Sequence, residues 1–196
     1  WSLTTNRKWA EEIRDKWMRP AEDEPKEIPI VVGGKEIFDG REHRQFIDSG
    51  RYHEKIAAAR YALGTAEDAE TAVAVAKADP DGWRALSYKE RNEVLARAAM
   101  ELRKARGDLI GAAAANTGKV FTESDPEVSE AVDFTEFYPW TTNIYAGMEN
   151  VRCRAKGVGL VISPWNFPIA IPIGGMAASL AAGNTVIYKP ASAAAA

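Results

Sequence analysis

Two polar residues follow two candidate strands within one segment, residues 157–192. The apolar runs Val158–Ile162 and Thr185–Tyr188 predict strands, and small and apolar residues at helical spacing between them predict a helix. Asn166 follows the first strand and Lys189 ends the second. Because ligands of open α/β sheets bind at the carboxyl ends of the strands, both side chains are candidates for chemistry.

The two side chains suit different tasks. Asn166 lies in a loop of prolines and aromatic residues, where an N–H group aimed at a developing oxyanion stabilises it more than water does. Lys189 can donate to a ribose hydroxyl or a phosphate. The simpler alternative is that Asn166 satisfies loop backbone and Lys189 is a solvated lysine. Spacing alone favours that alternative.

The elements around these residues predict one βαβ unit. Strand, helix and strand follow one another within about 30 residues, and such crossovers are right-handed. The run Val158–Ile162 is rich in branched residues without polar alternation, which is typical of a parallel strand buried on both faces. We therefore expect an α/β fold in which a helical N-terminal region leads into the first βαβ unit of a Rossmann-like parallel sheet.

The motifs of this segment resemble a known family. The runs Pro-Trp-Asn-Phe-Pro at 164–168, Ala-Ala-Gly-Asn-Thr-Val at 181–186 and Lys-Pro-Ala-Ser at 189–192 resemble the start of the cofactor-binding domain of the aldehyde dehydrogenase superfamily. The resemblance implies that the fold is an incomplete aldehyde dehydrogenase fold. It also implies that Asn166 holds the oxyanion of a thiohemiacetal and that Lys189 contacts the adenosine ribose.

The resemblance further implies a nicotinamide cofactor. The cofactor cleft would be lined by the end of the first strand and the loop after it (Ile162, Ser163, Pro164 and Trp165). The family often carries Glu three residues after the lysine, where it grips both ribose hydroxyls, and here that position is Ser192. A neutral serine would not repel a 2′-phosphate, so NAD is expected and NADP stays open.

The composition excludes several classes of protein. The chain has 196 residues, 46% of them hydrophobic, which is enough for a sizeable core. A net charge of −3 and a pI near 5.6 argue against nucleic-acid binding. No apolar run is long enough to span a bilayer, and no cluster has metal-ligand spacing, so neither a membrane span nor a metal site is expected. A single cysteine, Cys153, fits a reducing compartment such as the cytoplasm.

The N-terminal half is expected to be mainly helical after a short hairpin. Residues 1–29 predict an amphipathic helix with Trp9, Ile13 and Trp17 on one face, followed by an acidic, proline-rich linker from Pro20 to Pro29. Residues 30–139 begin with a hairpin around Gly33-Gly34 and become helical from Ala57 onward. No cysteine or carboxylate lies at metal-ligand spacing from His43 or His53, so we expect both histidines to be structural or exposed.

Two capping boxes predict helix starts within the helical region. Ser87 with Glu90 and Ser124 with Glu127 each place a hydroxyl and a carboxylate at a helix start. Trp83 and Arg91 also resemble the first helical region of the superfamily. The pair Gly118-Lys119 lacks Walker spacing because residue 113 is alanine and residue 120 is valine. The resemblance implies that Gly-Lys joins two helices here, usually after a Glu; Asn116-Thr117 precedes the pair in this chain, a departure that affects packing more than chemistry.

Glu130 is the candidate for substrate selection. Glu130 to Phe134, Glu-Ala-Val-Asp-Phe, resembles the corresponding helix of the glutamate γ-semialdehyde (1-pyrroline-5-carboxylate) dehydrogenases of the superfamily. The resemblance implies that Glu130 lies near the amino group of the substrate and that Phe167 forms an aromatic wall of the pocket. Taken without the resemblance, the acidic row of Glu127, Glu130 and Asp133 is typical of a solvated helix face.

Residues 140–156 are expected to contribute to oligomerisation. Tyr145 to Lys156 carries charged residues on one side and Cys153 on the other, which predicts a strand with one charged face. The resemblance places an oligomerisation segment here and implies a dimer or larger assembly. Cys153 is expected to be a packed thiol and not the nucleophile, because it lies on a predicted strand and not at a helix N-terminus or beside a histidine.

The resemblance implies the chemistry of a parent enzyme. A cysteine thiolate attacks the aldehyde, hydride passes to the nicotinamide, and a glutamate-activated water hydrolyses the resulting thioester. The product from glutamate γ-semialdehyde is glutamate, a step of proline degradation. The nucleophile and the base are expected beyond residue 196, so residues 157–196 are a truncated start of the cofactor-binding region and the chain alone is expected to be inactive. A fused proline dehydrogenase domain is a candidate partner. Another aldehyde substrate, or a non-catalytic oligomerisation fragment, stays open.

Overall fold

The computed structural model describes residues 1–18 and 23–195. The first residues of the predicted linker, 20–22, and the final alanine lie outside the described residues. Helix α1 spans Thr4–Trp17, as the apolar spacing predicts. Its residue Ile13 is 5% exposed and packs into the main core with Ile110 and Val128.

A three-stranded sheet follows that the sequence patterns did not predict. Strands β1 (Lys26–Ile28), β4 (His43–Ile47) and β5 (Ala57–Ala62) form the order β1-β5-β4, with β5 parallel to β1 and antiparallel to β4. The prediction that the chain is helical from Ala57 was therefore wrong. Alanine-rich sequence favours a helix locally, but here pairing with two neighbouring strands decides the conformation.

The predicted hairpin is confirmed. Strand β2 (Ile30–Val32) pairs antiparallel with β3 (Lys35–Ile37). Gly33 has a φ of 59° and Gly34 a φ of 75°. Both are positive, as a two-residue type I′ turn requires at its two central positions.

Helices α2 (Ala66–Ala78), α3 (Tyr88–Lys104) and α4 (Arg106–Thr117) form the next region. The capping box at the start of α3 is confirmed. The backbone N–H of Glu90 donates to Ser87 Oγ at 3.3 Å, and the backbone N–H of Ser87 donates to the Glu90 carboxylate at 2.7 Å. Helix α2 begins with a similar box formed by Thr65 and Asp68.

Helix α5 spans Phe121–Ala146 and corrects two predictions. The second capping box is absent, because the helix already begins at Phe121 and Ser124 lies inside it, donating through Oγ to the Val120 carbonyl at 3.2 Å. The predicted strand from Tyr145 is also absent: residues up to Ala146 are helical, and residues 147–156 pair with no strand among the described residues. A strand needs a hydrogen-bonding partner, and this segment has none among the described residues. Its role in oligomerisation is not tested by the structure, so for residues 140–156 that role stays a prediction. Cys153 is exposed and not packed, because this segment lies on the surface.

The C-terminal region forms the predicted βαβ unit. Strands β6 (Val158–Ile162) and β7 (Thr185–Lys189) are parallel, and helix α6 (Ala170–Ala181) connects them. An added Cβ at Gly174 would lie 2.8 Å from the Phe134 ring of α5, and one at Gly175 would lie 3.1 Å from Val161 of β6. These two glycines allow α6 to lie close to a helix on one side and to the sheet on the other.

Strand β6 is covered on one face only. Val161 faces α6, whereas Leu160 and Ile162 are 62% and 64% exposed on the opposite face. The expectation of burial on both faces therefore fails for the described residues, where no element covers this second face. Among these residues, no helix is long and apolar enough to cross a membrane.

Candidate functional site

The carboxyl ends of β6 and β7 bring two predicted site residues together. The strand register pairs Ile162 with Lys189, so these residues are neighbours across the sheet. Both are exposed, and no hydrogen bond or ion pair of the Lys189 ammonium group is found among the described residues. The edge of the sheet thus presents an apolar side chain beside a cation.

The loop after β6 begins with a buried anchor. Ser163 is 7% exposed, and its hydroxyl oxygen lies 3.3 Å from the Tyr188 hydroxyl of β7. The next residues reach the surface: Pro164 and Asn166 are exposed, and Trp165 is 56% exposed. The loop therefore leaves the sheet from a fixed point and presents its central residues to the solvent.

The backbone of Asn166 is held, and its side chain is not. Its carbonyl oxygen accepts a hydrogen bond from Lys119 Nζ at 3.2 Å. Its carboxamide makes no hydrogen bond with any residue that the structure describes. The simpler reading, in which this carboxamide satisfies loop backbone, does not fit that geometry. The side chain is available to donate N–H groups to a ligand.

A buried ion pair underlies the loop, and sequence reasoning missed it. Lys119 Nζ lies 2.6 Å from Glu127 Oε2, with the two side chains 9% and 0% exposed. The same ammonium group lies 3.8 Å from the centre of the Phe167 ring, a distance at which a cation and an aromatic face attract. The acidic row that was read as a solvated face therefore includes a fully buried member that contacts the loop.

Glu127 also caps helix α6 from another helix. Its Oε1 accepts the backbone N–H groups of Ile169 at 2.7 Å and Ala170 at 3.1 Å. These groups lie at the start of α6, which has no side-chain cap of its own. The sequence does carry a partial signal for this contact: Pro168, Ile169 and Ala170 supply no capping side chain, so the first N–H groups of α6 need an acceptor from water or from another part of the protein.

The other end of α6 is held by residues of the first helical region. Trp83 Nε1 donates to the Leu180 carbonyl at 3.2 Å, and Arg91 Nε donates to the Ala181 carbonyl at 3.3 Å. Burial lowers the pKa of the Arg91 guanidinium, whose positive charge nevertheless suits a helix C-terminus. The two residues noted for their resemblance to the superfamily thus donate to carbonyl groups in the last turn of the helix between the site strands.

The remaining predicted residues lie on the surface. Glu130 is exposed one helical turn beyond Glu127 on α5, and its carboxylate has no hydrogen bond or ion pair within the described residues. Phe167 is 40% exposed, and Ser192 is exposed in a short 3₁₀ turn after β7. His43 is structural, as expected, since its Nε2 lies 3.0 Å from the Phe38 carbonyl oxygen. The substrate role of Glu130 and Phe167 and the cofactor role of Ser192 stay predictions.

The fold and the site together define a class. A parallel βαβ unit presents a polar loop and a lysine at the carboxyl ends of its strands, the arrangement in which α/β proteins bind nucleotide cofactors. The aldehyde dehydrogenase family profile matches residues 40–196. The chain belongs to the aldehyde dehydrogenase family.

Several individual proteins of this family are similar to the chain. The chain is 32% identical over 177 residues to the 1-pyrroline-5-carboxylate dehydrogenase of Bacillus mycoides, covering 85% of this chain and 34% of that protein. It superposes on a Thermus 1-pyrroline-5-carboxylate dehydrogenase crystallised with bound NAD, with a TM-score of 0.87 and 27% identity over 99% of this chain and 39% of that one. Proline utilization A (PutA) of Corynebacterium freiburgense is 45% identical, with a TM-score of 0.55, over 56% of this chain and 11% of that one. The chain thus spans about a third of the length of the curated relatives it matches.

Proposed function

We propose that the natural protein containing this chain is a nicotinamide-dependent aldehyde dehydrogenase that oxidises L-glutamate γ-semialdehyde, formed from 1-pyrroline-5-carboxylate, to glutamate. The family membership and the names of the relatives support this substrate. The carboxylate of Glu130 on α5 supports it chemically, because the semialdehyde carries an amino group that a nearby anion would attract.

The free carboxamide of Asn166 is the observation that carries the proposal. Its backbone is held by Lys119, while its N–H groups have no acceptor among the described residues. When a nucleophile attacks an aldehyde, the carbonyl oxygen gains negative charge. A donor whose backbone is held before the reaction stabilises that charge with a smaller reorganisation cost. Asn166 is therefore assigned the role of oxyanion donor.

The end of the sheet fits a nicotinamide cofactor. Ile162 and Trp165, both more than half exposed, offer apolar surface to flat rings, and Lys189 offers a cation to ribose and phosphate oxygens. Ser192 adds no negative charge against a 2′-phosphate, so the proposal includes NADP beside NAD. When bound, the cofactor supplies the two-electron oxidant. The residues of this chain orient it and hold the aldehyde oxygen.

The proposed assembly is a homo-oligomer, with residues 140–156 in the contact. Trp140 and Tyr145 are each more than half exposed, which supports an interface at this segment. Fusion to a proline dehydrogenase domain is a further part of the proposal. It is supported by the similarity to PutA, of which the chain covers only 11%.

The proposal is tested on the complete natural protein that contains this sequence. Turnover is measured with glutamate γ-semialdehyde and with pentanal, using NAD and NADP separately. Asn166→Ala is expected to lower kcat by about 100- to 1000-fold, the usual cost of an oxyanion donor. Asn6→Ala, on the exposed face of α1, is expected to leave kcat unchanged. Equal kcat in both variants would remove Asn166 from the mechanism.

Substrate selection is tested separately. Glu130→Gln is expected to lower kcat/KM for glutamate γ-semialdehyde by about 10-fold or more and to leave pentanal unaffected, since pentanal has no amino group. Asp133→Asn, which removes an exposed carboxylate from the same helix, is the matched control. A preference for pentanal in the unaltered protein would favour the second candidate, a family member with another substrate.

A further inference from the structure

We propose that the Lys119–Glu127 ion pair is a positioning device that aims Asn166 at the reacting aldehyde oxygen. The inference rests on the proposed function, because it assigns two residues that act through the proposed oxyanion donor. Neither side chain is proposed to touch the substrate. Their role follows from a set of contacts that joins α5, the loop 163–168 and the start of α6.

Glu127 fixes the far end of the loop. Its Oε1 holds the N–H groups of Ile169 and Ala170, so the residues directly after Pro168 cannot turn away from α5. A carboxylate at this place also suits the positive end of the α6 dipole. Since Ser163 anchors the near end against Tyr188, the loop is held at both ends.

Lys119 fixes the middle of the loop. Its ammonium group binds the Glu127 carboxylate at 2.6 Å, donates to the Asn166 carbonyl oxygen at 3.2 Å and lies over the Phe167 ring at 3.8 Å. One cation therefore fixes the backbone of Asn166 and the ring that follows it. An ammonium group carries three N–H donors and, unlike the planar guanidinium of arginine, has no fixed pairing geometry. One lysine can therefore contact a carboxylate, a carbonyl oxygen and an aromatic ring together.

The burial of the Lys119–Glu127 ion pair points to a role other than stabilising the fold. A buried ion pair is often no more stabilising than apolar residues of similar volume. Here the pair leaves the Asn166 carboxamide without a competing partner among the described residues while its backbone is held. That combination suits an oxyanion donor, because the N–H groups are available and a backbone held before the reaction reduces the reorganisation that the donor must undergo.

Three variants separate positioning from stability. Lys119→Met removes the charge and the bond to the Asn166 carbonyl, and it leaves Glu127 without its cation. Glu127→Gln keeps an oxygen for the two N–H groups but leaves Lys119 without its anion. The double variant Lys119→Met with Glu127→Gln is neutral at both positions, so it removes the unpaired buried charge but still lacks the bond to Asn166.

The variants are made in the complete natural protein, with Lys104→Met as the control because Lys104 forms an exposed pair with Glu101. Each single variant is expected to lower the Tm. The double variant is expected to recover most of that loss, while its kcat stays about 10- to 100-fold below the unaltered value and its aldehyde KM changes little. Adding Lys119→Met to Asn166→Ala is expected to lower kcat no further, because the donor it positions is already gone.

Recovery of kcat together with Tm in the double variant would overturn the proposal, since the pair would then serve stability alone. A further loss of kcat in the Asn166→Ala background would overturn it as well. Hydrogen exchange of the peptide 163–170 provides a readout that needs no substrate, and Lys119→Met is expected to speed this exchange several-fold relative to Lys104→Met. If the unaltered protein oxidises no aldehyde, the proposed function fails, and unchanged exchange would still refute the positioning role by itself.

Discussion

Replacing Gly174 by alanine should reveal how closely α6 approaches α5. The new methyl carbon would lie 2.8 Å from Cδ2 of Phe134 and 3.2 Å from Cε2, closer than ordinary contact. An aromatic ring is rigid and packed between the helices, so either the ring or the helix must move. The structure therefore predicts a loss of stability at a position where helix propensity alone predicts a gain.

Two opposing terms set the magnitude. Alanine is about 1 kcal/mol better than glycine inside a helix. Overpacking a well-packed contact costs about 1–3 kcal/mol. With a central value of about 2 kcal/mol for the clash, the net loss is about 1 kcal/mol, which lowers the Tm by about 2–4 °C for a domain of this size. In a Phe134→Ala background the Cγ and Cδ2 atoms that the new methyl carbon meets are gone, and the same substitution should stabilise by up to about 1 kcal/mol.

Thermal unfolding of four proteins measures this prediction: the unaltered protein, each single variant and the double variant. The expected coupling energy between the two sites is about 2 kcal/mol, within the range seen for residues in contact. If Gly174→Ala raises the Tm while Phe134 is present, the close approach of α6 to α5 is refuted. If its effect is the same in both backgrounds, the clash with the Phe134 ring is refuted.

Two further predictions concern charge. Hydrogen bonds from the Arg41 guanidinium and from Thr65 hold the pKa of the Asp68 carboxyl well below its ordinary value of 3.8. Because the folded pKa is depressed, the stability from this group is complete above about pH 4 and is lost as the pH falls toward the folded pKa. In Asp68→Asn, the plot of unfolding free energy against pH should therefore be flatter in this acid range. An unchanged plot would contradict the assignment. Lys189→Met should raise the cofactor KM by about 10-fold or more with a smaller effect on kcat, as expected for the loss of a charged hydrogen bond; steady-state kinetics with NAD and NADP check it, and an unchanged cofactor KM would remove Lys189 from the cofactor site.

Local patterns in the sequence were sufficient for much of the fold. The Gly33-Gly34 turn, the capping box at Ser87 and the βαβ unit were all predicted and are confirmed, because each depends on residues close together in the chain. The elements that failed depend on distant partners. Strand β5 exists through pairing with two other strands, and the strand expected after Tyr145 finds no partner among the described residues.

The candidate site, like the fold, could be predicted from the sequence only in part. The sequence pointed to Asn166 and Lys189 through the motifs around them, and the strand register places Lys189 beside Ile162. It could not show that Lys119 and Glu127, which it assigned to a helix joint and a capping box, meet beneath the loop. The missing cap of α6 was visible in the sequence, but the identity of the acceptor was not.

The sequence by itself therefore determined the family, the βαβ unit and the two exposed polar residues at the strand ends, because motifs and periodicity are properties of neighbouring residues. Only the tertiary structure decided which acidic residue of α5 is buried. Glu127 and Glu130 lie three positions apart in the same helix, yet one is sealed beneath the loop and the other faces solvent. That difference arises from the packing of α5 against α6, a contact between segments more than 40 residues apart that places two free N–H groups opposite one carboxylate.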